Sequence, residues 1–171
     1  MPTPILGPPE ATVAQAEAWA SDRQASEEFV SLAALYWDLA EDHGTVRPEV
    51  AFAQAAKETS FGRFGGVVDA SFHNPCGLKT TAGGSNSDPN AHQRFTSWRE
   101  GVTAHLDHLA LYAGADGYPR APEATPDPRH FPFLAGKAKS VEALGGSWAP
   151  SEVYGQSIVA DYLTGLLATR V

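Results

Sequence analysis

Apolar residues recur at three- and four-residue steps along several stretches of the chain. Phe29, Val30, Ala33, Tyr36, Trp37 and Ala40 form one such stripe, which predicts a helix over about 26–43. Ser26 stands where an N-cap belongs, Glu27 and Glu28 suit the first turn, and Gly44 suits the end. Arg47-Pro48-Glu49 opens a second helix with Pro48 at its first position, running to about Thr59. Its interior, Val50 to Ala56, is small and apolar, which suits a buried central helix. Ser97-Trp98-Arg99-Glu100 is a capping box ahead of Val102, His105, Leu106, Leu109 and Tyr112, so a third helix is expected to about Ala113. A short helix is expected near 137–144, before Gly145-Gly146. Ser151 is expected to cap a last one, with Val153, Tyr154, Ile158, Tyr162, Leu163 and Leu166 on its inner side. Residues 11–21 suit a short helix or a partly ordered lead-in.

Between these stretches the periodicity stops. From Gly62 to about Gln93 the chain is rich in glycine, with Asn74, Asn86, Asn90, Pro75 and Pro89. This is turn chemistry, read as an irregular lobe with a small hairpin around Cys76–Lys79. Residues 114–134 are also loop-like. Four prolines in Met1–Glu10 predict an extended arm. The fold class expected is mainly α (α+β, lysozyme-like): a helical lobe and a small irregular β-lobe enclosing a cleft. Residues 1–25 are the arm and lead-in, and 26–171 one domain.

Composition narrows the function. The 171 residues are 43% hydrophobic, enough for a packed core. Lys plus Arg number 12 and Asp plus Glu 20, a net charge of −8, which argues against nucleic acid and against capture by anionic surfaces. No run is long and apolar enough to span a membrane. Met1–Glu10 carries no basic residue and does not read as a secretory signal, so action outside the cell implies another route of export. Cys76 is the only cysteine, which excludes an internal disulfide.

Glu58 is the first candidate for chemistry. It lies at the end of the small, apolar second helix, just before Thr59-Ser60-Phe61-Gly62. Desolvation and the negative end of the helix dipole both raise the pKa of a carboxyl placed there. A carboxylic acid still protonated near neutral pH can donate to a glycosidic oxygen. The plainer alternative is an exposed glutamate paired with Lys57 or Arg63. His105 and His108, three apart on one helix, are read as a half-buried pair rather than as metal ligands.

The words around Glu58 resemble those of a known family. Pro48-Glu49-Val50-Ala51-Phe52-Ala53-Gln54-Ala55-Ala56-Lys57-Glu58-Thr59-Ser60-Phe61-Gly62 is similar to the "P-x-x-x-x-A-Q-A-x-x-E-[ST]-x-x-G" helix of the glucosaminidase family of peptidoglycan hydrolases, glycoside hydrolase family 73. His73-Asn74-Pro75-Cys76-Gly77-Leu78 looks like its "N-x-x-G-[IL]" turn. Phe95-Thr96-Ser97-Trp98-Arg99-Glu100-Gly101 looks like its "F-x-S-x-x-E-[AG]" helix start, and Gly146 to Gly155 its C-terminal block. The four blocks stand in family order over about residues 45–163.

The resemblance implies a lysozyme-like fold and an endo-β-N-acetylglucosaminidase acting on cell-wall glycan strands, with Glu58 as the acid. Muramidase, lytic transglycosylase and an inactive glycan-binding module are the alternatives. It also implies that Tyr154 lies near the acid; a core tyrosine is the alternative. The second catalytic group is left open between Asp69, Asp88 and the substrate's own acetamido group. Asn74, Phe61, Trp148 and Phe95 are candidate sugar contacts, Trp98 is read as core or cap packing, and Arg94 and Lys79 are candidates for a lactyl or peptide carboxylate on charge alone. No metal or cofactor is called for. A monomer is expected, working outside the cell or at the wall, delivered by phage or secretion apparatus or carried on a longer chain with a wall-binding module.

Overall fold

The computed structural model describes all residues, 1–171. Its axis is α3 (Pro48–Thr59), in which every residue from Pro48 to Ala56 is buried. Four alanines and Gln54 leave this helix slim, so neighbours close in on every side. These are α1 (Val13–Asp22), α2 (Glu27–Leu39), α4 (Trp98–Ala113) and a C-terminal helix. The C-terminal helix runs as α5 (Tyr154–Ile158), a π-helical turn (Val159–Leu163) and α6 (Thr164–Ala168). Phe52 fills the space between α3 and its neighbours, stacked on Phe29 at 4.7 Å and met edge-on by Tyr36 and Trp19.

The helix starts follow the expected chemistry. The Ser26 hydroxyl accepts from the amide of Phe29, and that of Ser97 from Glu100, though the expected capping box stays half-formed because the Glu100 carboxylate accepts from Thr96 instead of the Ser97 amide. Pro48 opens α3 where its missing amide proton costs nothing. Gly114 ends α4 in the left-handed region.

Several boundaries differ. α2 stops near Leu39, and the chain turns through 41–45 before α3 instead of staying helical to His43. The helix expected at 137–144 is only a 3-10 turn, Glu142–Leu144. Ser151 sits ahead of the last helix rather than capping it: Val153 is at the cap, exposed rather than facing inward.

The segment 60–97 is irregular, with 3-10 turns at Ala70–Phe72 and Pro89–Ala91. The hairpin expected around Cys76–Lys79 is a single antiparallel bridge between Lys79 and His92. Strand structure throughout the chain is confined to such isolated bridges, so the chain is mainly α.

The first 25 residues share the core of the rest. Ile5 is fully buried, and its carbonyl accepts from the amide of Arg47 at 2.8 Å. Arg47 binds Glu49 through Nε and Glu10 through Nη2, each at 2.8 Å, which fastens the arm to the start of α3.

Candidate active site

Glu58 is the penultimate residue of α3, and the chain beyond it is tightly held. Ser60 and Phe61 are both left-handed, at φ 51° and 58°. Such backbone at a bulky side chain costs about 1–2 kcal/mol. Here it is offset by amide bonds from Phe61 to the carbonyl of Ala56 and from Phe64 to that of Thr59, both 2.8 Å. The Phe61 ring is buried between Trp19 and Tyr162, at 5.1 and 5.6 Å. Phe61, a candidate sugar contact in the sequence, therefore serves as the anchor that aims the end of α3.

The turn 74–78 covers Glu58 from the other side. Asn74 builds it: Nδ2 donates to the carbonyls of Leu78 (2.8 Å) and Gln93 (3.0 Å), and Oδ1 accepts from the amides of Leu78 (3.1 Å) and Cys76 (3.3 Å). Fully buried, the Asn74 side chain is spent on shaping this turn rather than on reaching a ligand. The turn brings Gly77 over the carboxyl, where a Cβ would stand 3.8 Å from Glu58 Oε2. It is seated on α4 at Gly101, where a Cβ would fall 1.8 Å from the carbonyl oxygen of His73.

Two hollows open from Glu58. One, of about 570 Å³, is walled by Tyr112, Trp148, Phe131 and Phe133, with His108, Lys79 and Arg129 among its polar groups. The other, of about 400 Å³, passes between Ser60–Val68 and Asn74–His92. Both lie within the roughly 300–1,000 Å³ of ordinary ligand pockets. Glu58, Gly77 and Asn86 line both, and Glu58 is the only carboxylate in either. A third concavity, of about 520 Å³, lies at Gly44 and Gly114–Arg120 and includes none of these groups.

A row of hydrogen bonds runs from the core to Glu58. Tyr154, the first residue of α5, donates its hydroxyl to Glu58 Oε1. Gln54 Nε2 donates to the Tyr154 oxygen at 3.0 Å, and Gln54 Oε1 lies 2.8 Å from His105 Nε2. His105 Nδ1 lies 2.8 Å from the Tyr36 hydroxyl. Burial, with the neighbouring His108, pushes the pKa of His105 down to about 3, so its ring is neutral and carries one proton. Gln54 Oε1 can only accept, which puts that proton on Nε2 and leaves Nδ1 to accept from Tyr36. Every donor in the row then points toward Glu58.

Glu58 is an exposed residue, its carboxyl open to solvent where the two hollows meet, which matches the plainer alternative of an exposed glutamate in accessibility though not in partner. Burial among the pocket walls still raises its pKa above the usual glutamate range, opposed by the Tyr154 hydrogen bond and by the charge of Lys57. The Lys57 ammonium lies 5.6 Å from the centre of the Tyr154 ring and 5.7 Å from that of Tyr162. Burial, and after it the Glu58 carboxylate, lift the Tyr154 hydroxyl well above its ordinary pKa, so it remains a donor.

The remaining candidates are dispersed. Asp69 is exposed and caps Ala70–Phe72, taking the amide and hydroxyl of Ser71. Asp88 is exposed and caps Pro89–Ala91 by accepting from the amide of Asn90. Neither lines the hollows with Glu58. Phe95 is buried with Cys76, Leu78 and Ala104. Trp148 does line the larger hollow, its ring 4.8 Å from His108 and 5.3 Å from Tyr112. Trp98 bonds Glu28 through Nε1, and Arg94 lies 3.7 Å above the Phe72 ring.

The sequence reading missed the far wall. Asp127, buried within the loop 114–134, accepts from His108 Nδ1 (2.7 Å) and His130 Nδ1 (2.8 Å) on one oxygen and from the amide of Arg129 on the other. Burial alone would raise this carboxyl, but the two histidine bonds hold it down to about 2. His105 and His108 are thus committed to different partners, one to the row behind Glu58 and one to the loop.

Comparison with known proteins finds a matching family model and a distant relative. Residues 33–160 match the family model Glucosaminidase, described as mannosyl-glycoprotein endo-beta-N-acetylglucosaminidase. An uncharacterized protein of Borreliella burgdorferi is 27% identical over 113 residues, covering 66% of this chain and 52% of that protein. The chain thus spans about half the length of that relative. No solved structure matches it.

Proposed function

The chain belongs to the glucosaminidase family, and from that premise we propose that it is an endo-β-N-acetylglucosaminidase of bacterial cell-wall peptidoglycan, with Glu58 as general acid. The observation that carries the reading is the position of Glu58. It is the one carboxylate shared by two adjoining hollows, and its orientation is fixed by Tyr154. In this reading the helical body and the 60–97 segment are the two lobes of a lysozyme-like cleft, and the hollows are its arms on either side of the scissile bond. The protein works as a monomer outside the cell, on glycan strands.

Glu58 gives its proton to the glycosidic oxygen as the bond to the anomeric carbon breaks. With Asp69 and Asp88 used as turn caps, the acetamido oxygen of the substrate is the group that closes on that carbon, forming an oxazolinium ring. Glu58, now a carboxylate, takes a proton from water as the water opens the ring. Two displacements at one carbon retain its configuration, as in other substrate-assisted glycosidases.

The test is clearance of purified sacculi, with the new reducing ends identified by mass spectrometry. Wild type should release N-acetylglucosamine ends, and Glu58→Gln should be slower by at least about 100-fold. Muramic acid ends would instead identify a muramidase, and anhydro-muramic ends a lytic transglycosylase. Full activity in Glu58→Gln would overturn the assignment of the acid.

A further inference from the structure

The larger hollow has a charge opposite to that of the chain. Two cations, Lys79 and Arg129, line it beside Glu58. Their anchors are carbonyl oxygens: Lys79 Nζ donates to Gly84 at 2.6 Å, and Arg129 Nη1 donates to Thr80 at 3.1 Å and Thr81 at 3.3 Å. Neither is among the ion pairs of the chain, which engage other cations. Most of the 12 Lys and Arg side chains are likewise without an acidic partner, but Lys79 and Arg129 are partly buried, tethered to carbonyls, and line the same hollow. Their positions are built. The Arg129 amide is held by buried Asp127, the guanidinium lies 5.0 Å from the centre of the Phe131 ring, and the Thr81 hydroxyl donates to the carbonyl of Pro128. That last bond ties the two cation-bearing loops together.

We propose that Lys79 and Arg129 form a subsite for the carboxylate carried on the muramic acid substituent of the glycan strand. The inference rests on the peptidoglycan reading above. The sugar rings of that polymer are neutral, and its negative charge sits on the lactyl group of bare strands or on the attached peptide. The Nε and Nη2 groups of Arg129, and two protons of Lys79, are left to meet it. Charge-assisted bonds of this kind are about twice as strong as neutral ones, and the fork of Arg129 is already oriented. The subsite makes the enzyme select strands by the charge of their substituents, and it accounts for cations retained in an otherwise acidic protein.

The experiment compares initial rates on stem-bearing glycan, on the same strands stripped of peptide by an amidase, and on each after its carboxylates are converted to methylamides. Amidation should lower wild-type kcat/KM by about tenfold. The substrate on which it does so identifies the peptide or the lactyl group as the source. Lys79→Gln and Arg129→Gln should each lose part of this sensitivity, the double variant nearly all of it, and Arg129→Lys, which keeps the charge without the fork, should retain an intermediate share. Melting temperatures report whether the Gln variants remain folded, and Arg129→Lys and Lys79→Gln keep the test sharp if loss of the Arg129 tether loosens the loop. A wild-type rate indifferent to amidation, or a double variant as sensitive as wild type, overturns the subsite and leaves the glucosaminidase reading standing. Absence of cleavage on all four substrates overturns that reading and the subsite with it.

Discussion

Gln54 and Glu58 are one turn apart on α3, and the Tyr154 hydroxyl is held between them, accepting from the first and donating to the second. The i,i+4 spacing puts both side chains on one face of the helix. A tyrosine 96 residues further along the chain closes the arrangement. Tyr154 thus works against the burial that raises the Glu58 pKa, and it fixes which carboxyl oxygen is occupied.

Tyr154→Phe removes a bond that favours the charged form of Glu58. The Glu58 pKa should therefore rise further. Since the acid acts while protonated, the alkaline side of the pH–kcat/KM profile should move to higher pH, while kcat falls by roughly 10- to 100-fold. An unchanged profile would mean that the tyrosine only packs.

Glu58→Gln should cost activity and add stability. A carboxyl whose pKa is raised on folding stabilises the protein below its unfolded pKa and loses that contribution as pH rises through the folded value. The variant has no such loss. Its melting temperature should equal that of wild type in acid and exceed it increasingly from pH 4 toward pH 7, read by calorimetry at several pH values.

Asp127→Asn tests the hub of the far wall. The wild-type carboxyl is held at about 2, below the unfolded value of roughly 3.9, so its stabilisation is complete above that value and is lost as pH falls toward 2. The variant should be less stable at pH 7 by on the order of 3 kcal/mol, about 10 °C in melting temperature. The gap should narrow in acid, where wild type surrenders the same interaction.

Gly101→Ala puts a methyl group where the His73 carbonyl oxygen stands. The turn 74–78 must then move off α4, at a cost of about 1–3 kcal/mol. Because that turn carries Gly77 over Glu58, activity should fall with stability. A variant that melts like wild type but has lost activity would show that turn position, not packing, is what the glycine protects.

Helix starts were legible in the sequence because they rest on local chemistry: Ser26, Pro48 and Ser97 act within one turn. The place of Glu58 at the end of a central helix was legible for the same reason, since that helix is too small and apolar to be anything but central. The rest depends on contacts across the chain. Nothing in the periodicity separates His105, buried behind Gln54, from His108, joined to a loop aspartate 19 residues on. The loop 114–134 reads as proline and glycine punctuation, yet it supplies Asp127, Arg129, Phe131 and Phe133. Asp69 and Asp88 sit in turn-rich sequence, and only the fold shows that each caps a 3-10 turn and lines neither hollow. The Asp-x-x-His spacing of Asp127 and His130 was the one local signal of the hub.

The row of donors behind Glu58 is a cul-de-sac. It begins at Tyr36, which no water touches, so no proton can be fed to the carboxyl from the rear. Glu58 therefore exchanges protons only across its exposed face, on the side of the two hollows, so its charge follows the acidity of the medium at their mouth and owes nothing to the interior.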